Sequence, residues 1–87
     1  MKDWESIIVG IEYLLQFKKN PMDWIEKMRD AVILKRGLSF EIEETLEAIH
    51  QASKSSVDLS KLLPQPHSDR VLRDFFTALE ESLRKAQ

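Results

Sequence analysis

No cysteine occurs in this 87-residue chain, which excludes a disulfide framework, a thiolate zinc site and a cysteine nucleophile together. Glycine and proline are scarce, at two and three copies, and β-branched residues nowhere alternate with polar ones. Both facts favour an all-helical chain. A dominant charge is missing as well: 13 Lys+Arg stand against 15 Asp+Glu, for a formal net charge of −2. That balance argues against a dedicated nucleic-acid binder, which carries a strongly basic face. No apolar run approaches the ~20 residues of a membrane span. The stretch from Ile7 to Leu15 is broken by Gly10 and Glu12. Asp3 and Glu5 stand where an export signal carries basic residues, so the expected location is cytoplasmic.

What is present suits one small folded domain. Hydrophobic residues make up 43% of the chain and charged residues 32%, too apolar for disorder. A domain of this size buries only about 60–65% of its unfolded surface, which leaves a lone monomer modestly stable. The expected fold is all-α, a small helical bundle of four principal helices plus a short connector helix, forming a single domain over 1–87. The helices are placed at about 3–19, 21–36, 40–53, 57–63 and 69–86. Asn20 caps the second with Pro21 at its first position, and Gly37 is the expected left-handed stop. Ser39 caps the third, whose first turns carry Glu41, Glu43 and Glu44 at the positive end of the dipole. Pro64 and Pro66 block any continuation of the connector, and Ser68 caps the last helix. Short links favour antiparallel sequence neighbours.

Helical periodicity sorts the faces. In the last helix Val71, Leu72, Phe75, Phe76, Leu79, Leu83 and Ala86 share one arc, while Arg73, Asp74, Glu80, Glu81 and Arg84 face away. The second helix buries Trp24, Ile25, Met28, Ala31 and Val32. Ile33 and Leu34 join Leu38 and Phe40 in an apolar cluster around the Gly37 turn. The first helix is unusual in carrying two stripes. Trp4, Ile7, Ile8, Ile11, Leu14 and Leu15 form a wide one; Val9, Tyr13 and Phe17 form another, with Gly10 nearby to admit a second backbone. Only Glu5, Glu12, Gln16 and Lys19 mark a water-facing sector. Such a helix is either central in its own bundle or shares its second stripe with another molecule.

Signatures of catalysis are absent: no Gly-rich phosphate loop, no GxSxG and no HExxH. Glu47-x-x-His50 has the spacing of a di-metal carboxylate motif, yet it occurs once where such bundles need it twice. No metal and no cofactor are expected, and the chain is not expected to be an enzyme. His67, beside Pro66, reads as an exposed loop residue or a contact where the last helix begins. The second helix, the Gly37 turn and the third helix imitate a helix-turn-helix. Residues 38–54, however, hold four glutamates against one lysine, and phosphates would repel them.

The expected function is a protein-binding module, regulatory or adaptor-like, that forms a homodimer through apolar helix faces. Trp4, Val9, Tyr13 and Phe17 are the candidate apolar contacts. Glu43, Glu44 and Glu47 are the candidates for meeting a basic partner, in the manner of acidic inhibitors and immunity proteins. A helix-turn-helix-like transcriptional regulator is the remaining alternative, and neither nucleic acid nor membrane is the expected partner.

Overall fold

Asp3 sets the start of the first helix: its carboxylate accepts the Ser6 N–H at 2.8 Å, and this bond holds its pKa below the usual carboxylate value. In the computed structural model, which describes residues 3–86, α1 spans Trp4–Leu15, α2 Ile25–Leu34, α3 Ile42–Lys54 and α4 Asp69–Ala86. Two 3₁₀ turns, Pro21–Trp24 and Leu59–Lys61, complete the elements. The chain is all-α, a bundle of four helices, with no strand among the described residues. Residues 1, 2 and 87 of the expected domain lie outside those described. No helix among the described residues is long and apolar enough to cross a membrane.

Helix ends account for most differences from expectation. α1 stops at Leu15, four residues early, with Lys18 N–H closing on the Leu15 carbonyl at 2.9 Å. The residue before a proline avoids helical backbone, and Asn20 is extended (φ −124°, ψ 102°). Asn20 does act as a cap, accepting the Met22 N–H at 3.2 Å, but the turn it opens is 3₁₀ and α2 begins only after it. The left-handed stop of α2 falls on Lys35 (φ 57°), two residues before Gly37 (φ 79°). Arg36 N–H reaches back to the Ala31 carbonyl at 2.9 Å, a Schellman-type closure that offsets the roughly 1–2 kcal/mol cost of αL backbone in a non-glycine residue.

Ser39 does not cap α3. The chain between the helices is drawn inward at Leu38 and Phe40, both buried, which delays the helix to Ile42. Glu41 and Glu44 then form a reciprocal capping box, Glu44 Oε1 accepting the Glu41 N–H at 3.0 Å. The connector reduces to one turn over Leu59–Lys61, capped by Asp58, which accepts from Ser60 N–H at 3.0 Å. Ser68 caps α4 as expected, with Val71 N–H on its hydroxyl at 3.3 Å.

The helices do not pair in chain order. α1 lies mainly on α3 and α2 mainly on α4, while α3 also meets α4. Ala48 and Ala52, both buried, keep α3 slim where its neighbours crowd it. The deepest apolar side chains of the core are Ile8, Ile11 and Leu15 of α1, Val32 of α2, Leu59 of the connector, and Leu72, Phe75, Leu79 and Leu83 of α4. To these α3 adds Leu46, Ala48, Ile49 and Ala52. At the edges of the expected arcs, Trp24, Ile25 and Ala31 are only half-buried, whereas Val71 and Ala86 are exposed. Ile33 and Leu34 are exposed too, so the expected cluster at the Gly37 turn consists of Leu38 and Phe40 alone.

Arg73 corrects its predicted outward placement. Its guanidinium donates to the carbonyls of Ala52 at 3.0 Å, Ser55 at 3.0 Å and Val57 at 2.7 Å, and to Asp69 Oδ2 at 2.8 Å. Asp69 in turn accepts the Leu59 N–H at 2.7 Å. One arginine thus satisfies carbonyls at the end of α3, where a cation also suits the dipole, and ties the connector to α4.

Candidate functional site

The seven residues singled out from the sequence separate into two surfaces. Trp4 and the three glutamates share one. Between the first turn of α1 and the outer side of α3 runs an open groove of about 480 Å³. Its apolar lining is Trp4, Ile7 and Ala48, and its polar lining is Asp3, Glu43, Glu44 and Glu47 with Gln51. The i, i+4 spacing of Glu43, Glu47 and Gln51 follows from the helical repeat, which aligns them along one side of α3. Glu44 is the least available, because it caps its own helix. Glu47 accepts the Gln51 amide at 2.8 Å. None of Asp3, Glu43, Glu44 and Glu47 forms an ion pair with another described residue.

Val9, Tyr13 and Phe17 lie apart from that groove. Val9 is half-buried, whereas Tyr13 is 58% exposed and Phe17 79%. Phe17 lies beyond the end of α1 and, with Gln16, Lys18, Lys19, Pro66 and His67, lines an open recess of about 350 Å³. The expected role of Gly10 changes: the Phe40 ring fills its notch, with ring carbons 2.8 and 3.1 Å from where a Cβ would stand. The missing side chain serves a contact inside this chain.

His67 stands in the loop just before α4, where it was expected, whereas Glu12 is not where it was expected. His67 is buried and its Nε2 lies 3.1 Å from the Leu15 carbonyl. Because a carbonyl only accepts, Nε2 carries the proton. The imidazole therefore caps the C-terminus of α1 from 52 positions away. Glu12, assigned to the water-facing sector, is completely buried, and neither carboxyl oxygen has a hydrogen-bond partner. Burial, reinforced by the charge of Asp69, pushes its pKa from 4.5 up to about 8. The signal was present in the spacing: Ile8 stands four residues before Glu12 and Leu15 three after, on the same face, and both are buried.

His50 is exposed, and no three of the described His, Asp or Glu residues come together as a metal site. Compared with protein families, curated proteins and solved structures, the chain has no match in any of the three.

Proposed function

We propose that this chain is a non-catalytic, cytoplasmic protein-binding module of regulatory or adaptor type, and that it forms a homodimer through Tyr13 of α1 and Phe17 just beyond the end of that helix. The observation carrying this reading is that the core closes without these two rings, at 58% and 79% exposure. Large apolar side chains left in water on a small domain favour a surface that meets another protein. Aromatic residues are also the side chains enriched at such contacts. Sedimentation velocity of the full chain tests this. The wild type is expected to sediment as a dimer and Tyr13→Glu/Phe17→Glu as a monomer of unchanged helicity. A wild type that stays monomeric across the concentration range would falsify the proposal.

A second reading, the acidic inhibitor or immunity-type protein, draws its support from the carboxylates along the Trp4 groove. A DNA-reading role gains nothing from α3, whose first turns present Glu43 and Glu47 to solvent.

A further inference from the structure

We infer that the groove between α1 and α3 receives a cationic amphipathic helix of a partner protein, with an apolar side chain seated against Trp4 and basic side chains on Asp3, Glu43 and Glu47. The inference rests on the protein-binding reading and gives one of its partners a chemistry.

The groove decides the occupant by its lining. Trp4, Ile7 and Ala48 provide an apolar floor that rewards desolvation by an apolar group. Trp4, half-buried, offers a large flat contact of the kind that dominates interface energetics. Among the described residues, the charged groups around this floor are all carboxylates, which only accept hydrogen bonds. An occupant must therefore bring donors, and preferably positive charge. Acidic, phosphorylated or nucleic-acid ligands meet repulsion from each of the described charged groups in the lining.

The length points the same way. Glu43, Glu47 and Gln51 follow one another up two turns of α3, a track of about 12 Å. Lysine or arginine at i and i+4 on a facing helix matches that spacing. Addition of a strand is disfavoured, because the described residues hold no strand whose edge could pair with it. A helix laid in a groove between helices is the recognition mode this surface suits.

Three synthetic 18-residue helical probes of equal length test the inference: a leucine/lysine amphipath, a leucine/glutamate amphipath and an alanine/lysine helix lacking large apolar residues. The full chain carrying Trp24→Phe leaves Trp4 as the single indole, since the sequence has two tryptophans. Trp4 emission then reports the groove. The leucine/lysine probe is expected to shift that emission, with affinity falling about tenfold or more as salt rises from about 0.05 to 0.5 M. The other two probes are expected to bind at least about tenfold more weakly. In an otherwise wild-type background, Trp4→Ala is expected to abolish binding read by calorimetry. Glu43→Lys/Glu47→Lys should exchange the preference, so that the leucine/glutamate probe becomes the ligand. Asp74→Lys/Glu81→Lys, the same charge change on α4, should leave the leucine/lysine affinity within about twofold.

No binding of the leucine/lysine probe, or equal loss from the α3 and α4 reversals, overturns the inference. So does conversion of a wild-type dimer to monomer by Trp4→Ala, because the groove would then hold a second copy. Sedimentation of the Tyr13 and Phe17 variants is read independently, so failure of the groove and failure of the module reading remain separate results.

Discussion

Glu12→Gln is the most informative single substitution, because it removes an ionisation while almost preserving shape. In the folded chain the carboxyl holds its proton up to about pH 8; in the unfolded chain it releases it near 4.5. Between those values the folded state binds more protons, so stability falls as pH rises. Below about 4.5 the contribution is fully present, and above about 8 it has been lost. At about 1.4 kcal/mol per pH unit, the loss across this window approaches 4–5 kcal/mol. A small domain has only about 5–15 kcal/mol in total, so an effect of this size governs when the protein unfolds.

Urea unfolding followed by circular dichroism at pH 5, 6, 7, 8 and 9 provides the assay. The difference between wild type and Glu12→Gln cancels every group the two share. It should be small near pH 5 and favour the variant by about 3 kcal/mol or more at pH 8, after allowance for burying an amide in place of a carboxylic acid. Glu12→Leu, with no polar atom to desolvate, should be more stable than either across the range. A wild-type-minus-variant difference that stays flat from pH 5 to 8 would refute the argument, since it would mean that Glu12 reaches water or finds a partner.

Arg73→Ala removes the guanidinium donor from the carbonyls of Ser55 and Val57, and from that of Ala52, which keeps the Ser55 N–H at 3.2 Å. The expected cost is about 2–4 kcal/mol, a fall in melting temperature of roughly 10–20 °C, and Arg73→Lys should recover only part of it. Gly10→Ala drives a Cβ to 2.8 Å from Phe40 Cζ. Overpacking should outweigh the helix-propensity gain and cost about 1 kcal/mol net, while in a Phe40→Leu background the same change should become stabilising. Tyr13→Glu and Phe17→Glu, at exposed positions, should move the unfolding free energy of the isolated monomer by no more than about 0.5 kcal/mol. Any loss they cause in dimer content would then come from the interface.

What could be read from the sequence was local and periodic. α4 carries one clean arc, and Ser68, Asn20 and Pro21 act within a turn of themselves, so the order of residues contains the cause. The left-handed Lys35 and the delayed start of α3 were not legible. They depend on Leu38 and Phe40 being pulled into the core, a long-range effect that local capping preferences cannot anticipate. The same holds for Arg73 and His67, whose partners lie 16–21 and 52 residues away. Of the site, the second apolar stripe through Tyr13 and Phe17 was legible, but whether it lies inside the bundle or in solvent is answered only by the packing. The grouping of Trp4 with Glu43 and Glu47 was not legible, because it requires knowing that α1 lies on α3.

Glu12 and Tyr13 are consecutive, so about 100° separates them around α1. A helix serving only a solitary monomer would gain by turning the carboxyl to water and the ring inward: an aromatic side chain of this size recovers roughly 2 kcal/mol on burial. α1 is set the other way, with Glu12 sealed and Tyr13 in solvent. Two contacts hold that setting. The Phe40 ring occupies the Gly10 notch, and Ile8, Ile11 and Leu15 are completely buried on the adjoining arc. Rotating the helix would empty the notch and expose the isoleucines, so neither defect can be corrected without the other contacts failing. Places where a chain breaks two local rules together are where function is commonly found. The side of α1 that faces water is also where an outside partner would offset the stability lost at Glu12.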